Sequence, residues 1–308
     1  MSIGKSCVRG LALLAMPALF SATVGVPGAQ AQSSTAEGSE RDSASIAGVP
    51  NSAFFAGVGG SYNFVTYGNQ WIYNKGISQT FQNGVQTSSG TASGPATTTI
   101  QNQTTFAPVA QAGYFSHFAG SPWMWGGKFS YSYLASTAVN RNISIPQAGT
   151  STANVGGFSG HSVTGAYRIA VYNQTSLMPL VGRSFEKSFF YVGAGPTLSQ
   201  VKTQLNNVVG YANFSPTVLT NVSGANQSFS NDQWRLGVGA TAGVTYFVTP
   251  QWFVDLSYSA SMPNASLTQI TSPFNNPGTP NSFRGTLIGA YTANVMTQAI
   301  TITINRAF

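Results

Sequence analysis

Between Trp234 and Val248 every second residue is apolar: Trp234, Leu236, Val238, Ala240, Ala242, Val244, Tyr246 and Val248. The positions between them hold Arg235, Gly237, Gly239, Thr241, Gly243 and Thr245, with Phe247 the one break. Successive side chains of an extended strand point to opposite faces, so this period of two predicts a strand with one greasy face and one small or polar face. After Thr249-Pro250-Gln251 the pattern resumes, with Trp252, Val254, Leu256, Tyr258 and Ala260 set against Phe253, Asp255, Ser257 and Ser259. Two such strands joined by so tight a turn make an antiparallel hairpin. The alternation alone suits either a water-soluble β-sandwich or a barrel in lipid, and composition separates the two.

Charged residues make up 6% of the chain, against about 25% in soluble globular proteins. The hydrophobic fraction is an unremarkable 42%, and no apolar run of about 18 residues follows the N-terminal region, so no helical span is expected. Low charge with 34 Gly, 20 Phe, 13 Tyr and 5 Trp suits a barrel with lipid outside and polar residues within. The same aromatic content argues against disorder.

The first residues read as a secretory signal. Lys5 and Arg9 form the positive end, Leu11 to Phe20 the apolar region, and Ala29-Gln30-Ala31 the cleavage site, giving a signal peptide over 1–31. Cys7 leaves with it, so the mature chain has no cysteine and no disulfide or thiolate chemistry. Residues 32–52 are Ser-, Ala- and Gly-rich and read as a flexible periplasmic leader. From Asn51 onward ten basic and three acidic residues are scattered without a cluster, which speaks against nucleic-acid binding. Attraction to anionic lipid head groups is the better electrostatic reading.

Eight strands are expected, near 53–65, 104–116, 123–135, 162–172, 189–201, 234–248, 252–260 and 299–308. In the fourth, Val163, Tyr167, Ile169 and Val171 are taken as the lipid face. Each strand suffices to cross a bilayer at a tilt. The fold class is therefore all-β: an eight-stranded antiparallel up-and-down transmembrane β-barrel over 53–308. Long extracellular loops are expected near 66–103, 137–160, 202–230 and 263–291, with short turns and both chain ends on the periplasmic side. The 173–187 connection is too long for that scheme. Trp71, Ile72 and Tyr73 within 70–90 leave a ten-stranded variant open.

The last stretch, AITITINRAF, alternates Ile300, Ile302 and Ile304 with Thr301, Thr303 and Asn305 and reaches Phe308. It resembles the terminal strand of bacterial outer-membrane β-barrels. Arg306 departs from the aromatic residue that family often carries there. With FFYVGAGPTLS at Phe189 to Ser199 and GVGATAGVTYFVTPQWFVDLSYS at Gly237 to Ser259, the pattern resembles the small OmpA/OmpX-type outer-membrane proteins. The resemblance implies a Gram-negative outer-membrane location. It implies contact with outer-membrane lipid and lipopolysaccharide, and recognition of Ile300, Ile302, Ile304 and Phe308 by the assembly machinery.

Candidate functional residues follow from the faces. Lys128, Arg168, Arg235 and Asp255 fall on polar faces and are expected as lumen charges, with Asp255 paired to Arg235. Trp123, Trp125, Trp234, Tyr246, Trp252 and Tyr258 fit the aromatic girdles of a membrane protein. The uncharged, amide- and hydroxyl-rich loops suit a host or surface ligand. The inward glycines Gly237, Gly239 and Gly243 could admit water, or larger neighbours such as Phe247 could fill the gap. No cofactor is expected, and no metal site, for want of Cys or paired His. No catalytic residue is assigned. A lipid-modifying enzyme would have to combine His161 with Ser159 or Ser162 and Asp232, which spacing does not establish. The expected role is structural or surface-interacting, with a narrow porin for small solutes as the alternative.

Overall fold

The computed structural model describes residues 48–215 and 218–308. The signal peptide and residues 32–47 of the leader lie outside them. Thirteen antiparallel strands form one sheet: β1 (Ser52–Thr66), β2 (Asn69–Gln82), β3 (Val85–Thr99), β4 (Gln103–His117), β5 (Trp123–Ser151), β6 (Asn154–Ser184), β7 (Ser188–Ser215), β8 (Val218–Asn221), β9 (Gln227–Thr249), β10 (Trp252–Pro263), β11 (Leu267–Asn276), β12 (Asn281–Thr292) and β13 (Met296–Ala307). Among the described residues there is no helix.

Thirteen strands stand where eight were expected, because the segments read as long loops are largely strand. Residues 69–99 are the hairpin β2–β3, and 267–292 the hairpin β11–β12. β5, β6 and β7 run for 29, 31 and 28 residues. That is two to three times the roughly 9–11 residues a bilayer crossing needs. The awkward 173–187 connection disappears: β6 continues to Ser184, leaving a turn of 185–187. Pro108 sits within β4 opposite Gly60, with its ring on the outward face.

The pairings fall into two sets. In the first, β1 pairs β4, β4 pairs the start of β5, β5 pairs the end of β6, and β6 pairs the start of β7. β7 then pairs β9, β9 pairs β10, β10 pairs β13, and β13 returns to β1. The tight turns 118–122, 185–187 and 250–251 share one end with Ser52 and Ala307.

The second set lies beyond the other end. β11 pairs β12, β12 pairs β2, β2 pairs β3, and β3 pairs the far half of β5. The far halves of β5, β6 and β7 continue together, with β8 on β7. Side chains bridge β11 back to the β8–β9 region: Asn276 Nδ2 donates to Asn221 O at 2.9 Å, and Asn231 Nδ2 to Thr268 Oγ1 at 3.2 Å. We refer to this second set as the extension. Where β5 passes into it, the β5–β6 register shifts between Tyr133 and Ser136, and Ala135 takes φ of 48°. Such a bulge lets the strand change partners.

The two sets differ in which face is apolar. In the first, Val58, Phe190, Val192, Leu236, Val238, Leu256, Ile300, Ile302 and Ile304 are exposed on the outside. Their neighbours Ser61, Asn63, Thr197, Ser199, Thr241, Ser257, Thr301 and Thr303 are buried inside. In the extension Ile72, Leu134, Ile145, Tyr167, Ile169, Leu205, Phe283, Leu287 and Tyr291 are buried within. Along one strand the inward row of β7 changes from Thr197 and Ser199 to Val201 and Leu205.

This inversion corrects the reading of the later part of 162–172, while Ser162 and Thr164 are buried as expected. Tyr167, Ile169 and Val171 are core residues, not a lipid face, and Arg168 lies on the opposite, outward face rather than in the lumen.

Candidate functional site

Inside the first set the lumen is divided into layers. At the turn end five rings, Phe55, Phe115, Phe189, Phe247 and Phe253, are buried together. Phe247 and Phe253 lie 4.8 Å apart, Phe115 and Phe189 5.3 Å, and Phe55 and Phe253 5.5 Å. Val49 is buried in the same cluster, so this part of the leader is packed rather than free. The alternation places all five rings on the polar row, which is why Phe247 reads as a break in an otherwise clean strand.

Above this floor lies the charge network. Lys128 Nζ stands 3.3 Å from Asp255 Oδ2, and both residues are buried. Lys128 donates to the Tyr191 hydroxyl at 2.6 Å, which donates to Asp255 Oδ1 at 2.8 Å. Gln111 Nε2 lies 3.1 Å from Asp255 Oδ2, 2.8 Å from Thr303 Oγ1 and 2.8 Å from Asn305 Oδ1. A charge out of water needs this degree of pairing.

The partner of Asp255 is thus Lys128 and not Arg235. Asp255 lies opposite Thr245, ten residues along β9 from Arg235, a separation of about 33 Å along the strand. Arg235 is buried higher up, where its Nη1 donates to Ala293 O at 2.8 Å.

Glycine makes room for the network. A Cβ at Gly243 would fall 2.5 Å from the Tyr191 ring, and one at Gly239 2.7 Å from Thr197 Cγ2 and 2.8 Å from Met178 Cε. The gaps left by these glycines are filled by Tyr191, Thr197 and Met178.

Over the network is a chamber of about 50 Å³ with a hydroxyl-rich lining that includes Ser61, Ser130, Ser176, Thr241 and Ser257. Further along toward the extension, the connection 293–295 between β12 and β13 is tied to three strands. The Tyr167 hydroxyl donates to Thr292 O, and Arg235 holds Ala293. Gln70 grips Asn294 from both sides, Nε2 donating to its carbonyl at 2.8 Å and Oε1 accepting from its N–H at 2.9 Å. The apolar core of the extension continues above.

All six girdle residues are exposed on the outside. Trp123, Trp125, Tyr246 and Trp252 stand close to the tight turns, and Trp234 lies toward the extension. The Tyr258 hydroxyl donates to Gln298 Oε1 at 2.5 Å. Ile300, Ile302, Ile304 and Phe308 are exposed along β13 and just past it. Arg306 lies over the Phe308 ring at 5.3 Å and the Trp252 ring at 6.0 Å, a cation–π arrangement that occupies the place of the family's aromatic residue.

The residues a hydrolase would need are not brought together. His161 stacks on Tyr211 at 5.3 Å, Ser162 Oγ accepts from Asn74 Nδ2 at 2.7 Å, and Asp232 accepts from Gln200 at 3.0 Å. His117 is the histidine with a serine beside it: Nε2 lies 2.7 Å from Ser184 Oγ and Nδ1 3.0 Å from Asn51 O. Ser184 is buried and its Oγ donates to Pro122 O at 3.1 Å, so the cluster ties three segments of the turn end together. Among the described residues no group of His, Cys, Asp and Glu could hold a metal.

The solved structures to which this chain is similar are small outer-membrane β-barrel proteins. The outer membrane protein OprG from Pseudomonas aeruginosa matches with 10% identity over 85% of this chain and 98% of that one, at a TM-score of 0.37. Neisserial surface protein A matches with 12% identity over 79% and 99%, at 0.27. Ail, the attachment invasion locus protein of Yersinia pestis, matches with 12% identity over 74% and 99%, at 0.22. No protein-family model matches the chain, and no curated protein does.

Proposed function

We propose that the chain is an integral outer-membrane protein anchored by an eight-stranded barrel. The cycle of β1, β4, β5, β6, β7, β9, β10 and β13 crosses the bilayer, and the extension stands outside the cell. The observation that carries this reading is the inversion of polarity between the two sets of strands. Apolar side chains face outward over a height that β1, β10 and β13 just span, and turn inward beyond it. Water on both sides of the wall would favour no such switch, whereas a bilayer around one part of it would. The tight turns and both ends of the cycle then lie in the periplasm, in contact with the assembly machinery and outer-membrane lipid through β13.

The role is structural and surface-presenting. A narrow pore is the weaker reading, since five phenylalanines are buried together across the lumen at the turn end. Purified protein in planar bilayers is expected to be silent, and stable ohmic steps would overturn the closed-lumen assignment. A lipid-modifying activity has the least support, given the separation of His161 from Asp232. His161→Ala is expected to leave lipid A composition unchanged.

A further inference from the structure

Three basic residues that are dispersed in the sequence meet on the outside of the wall, just where its polarity inverts. Lys202 stands on β7 between the buried Val201 and Thr203, so its side chain points outward. Arg168 stands outward on β6 between the buried Tyr167 and Ile169, and Arg141 is exposed on β5. Lys202 lies opposite Ala170, two places from Arg168. Arg168 in turn lies opposite Val139, two places from Arg141. Each cation is thus one diagonal step from the next, about 7–8 Å on neighbouring strands.

Strand tilt makes this row close to level. A path of paired residues that leaves Trp123, the first residue of β5, passes Phe190, Leu256 and Gly60 and returns to Pro108. Pro108 is beside the Val109–Ser132 pair, so one circuit has climbed most of the way from the turn end toward the extension. A closed barrel acquires its tilt in this way. Going back from β7 to β6 to β5 therefore descends, and the two residues gained at each step restore the height. Lys202 lies two residues beyond Gln200, the partner of Trp234. The row accordingly stands at about the height of Trp234, where a bilayer presents its head groups.

The wall itself does not neutralise the row. Among the described residues the ion pair is that of Lys128 with Asp255, and Arg168 Nε has no hydrogen-bond partner. Asp232 is opposite Lys202, but its two oxygens accept from Gln200 Nε2 at 3.0 and 3.2 Å. Like charges on neighbouring strands repel, and an anion between them removes the repulsion.

We infer that Arg141, Arg168 and Lys202 bind an outer-leaflet lipid whose head group carries two phosphates, one in each gap of the row. Guanidinium groups meet phosphate oxygens through paired N–H donors, and the lysine adds a point charge. The row lies on the open outside of the wall, with no pocket to hold a free anion against water. A lipid confined to the plane of the membrane is concentrated beside it. The inference rests on the reading that the first set of strands stands in the bilayer.

The test uses the full chain in phosphatidylcholine nanodiscs doped with bis-phosphoryl lipid A, the lipid retained per barrel being counted by native mass spectrometry. One lipid A per barrel is expected, held about fivefold better than monophosphoryl lipid A. Excess inorganic phosphate should not displace it. Arg168→Gln, which borders both gaps, is expected to weaken retention about fivefold, and the triple variant with Arg141→Gln and Lys202→Gln to abolish it. Lys75→Gln combined with Arg284→Gln removes like charge from β2 and β12 and should change retention less than about twofold. The single variant carries the test where the triple variant fails to fold. Equal retention of the two lipids, displacement by inorganic phosphate, or equal loss in the Lys75/Arg284 variant would overturn the inference. Insertion is read separately from gel mobility before and after heating. Insertion without retention sinks this inference alone, and failure to insert sinks the barrel reading with it.

Discussion

Lys128 and Asp255 hold each other inside the first set of strands, the part proposed to stand in lipid. Removing one partner strands the other, so Asp255→Leu is expected to cost about 3–5 kcal/mol in urea unfolding from lipid vesicles. Adding Lys128→Met to it should recover most of that loss, and a double variant as unstable as the sum of the two would refute the pairing. Burial pushes the Tyr67 hydroxyl from 10.0 up to about 12, with its hydrogen bond to Ser136 opposing. Tyr67 follows β1 directly and lies outside the bilayer in this reading. The unfolded chain would lose the proton first, so this part of the stability is complete below pH 10.0 and declines as pH rises toward about 12. Tyr67→Phe should flatten that decline in an alkaline circular-dichroism titration. At this scale the sequence was a partial guide. The alternation placed Arg235, Asp255 and Lys128 each on the polar face of its own strand, β9, β10 and β5. It held nothing about height along the barrel, and so mispaired Asp255.

A strand in this protein is defined by what surrounds it, and the same rule of alternation gives opposite outcomes at its two ends. Ile302 faces out from the middle of β13, between Gly60 and Leu256. Ile77 faces out from β2 in the extension, where it is 43% exposed. Ile302→Arg is expected to destabilise by about 2–4 kcal/mol in vesicles, whereas Ile77→Arg should stay within about 0.5 kcal/mol. Equal costs would mean that the bilayer does not stop where the polarity inverts. Strands with greasy residues outward were legible because lipid-facing rows are the longest and cleanest. The far halves of β5, β6 and β7 were not. Their outward rows of Ser, Thr, Asn and Gln look like loop, and their inward rows of Ile, Val and Leu look like a lipid face. Arg168, Tyr167, Ile169 and Val171 were assigned to the wrong sides for that reason, whereas Ser162 and Thr164 are buried as expected.

For the molecule as a whole, the two sets of pairings make separable demands. β2 and β3 take no part in the membrane cycle, so replacing residues 69–99 by a short turn should leave its eight pairings intact. Such a variant is expected to insert and keep its heat-dependent gel mobility. It should also remain electrically silent, because the phenylalanine floor is untouched. Conduction should appear only when Phe247→Ala and Phe253→Ala are added. The presence of a barrel was readable from low charge and dyad patterning. Its second storey was not, since nothing local distinguishes a long polar loop from a strand whose partners lie about 200 residues away.

One feature of the connectivity bears on biogenesis. β1 waits for β13, which closes the first set, and β2 waits for β12, so both sets are completed by neighbouring strands near the end of the chain. A polypeptide cut short before that seam would leave β1 and β2 each with an unpaired edge, open to pairing with another chain.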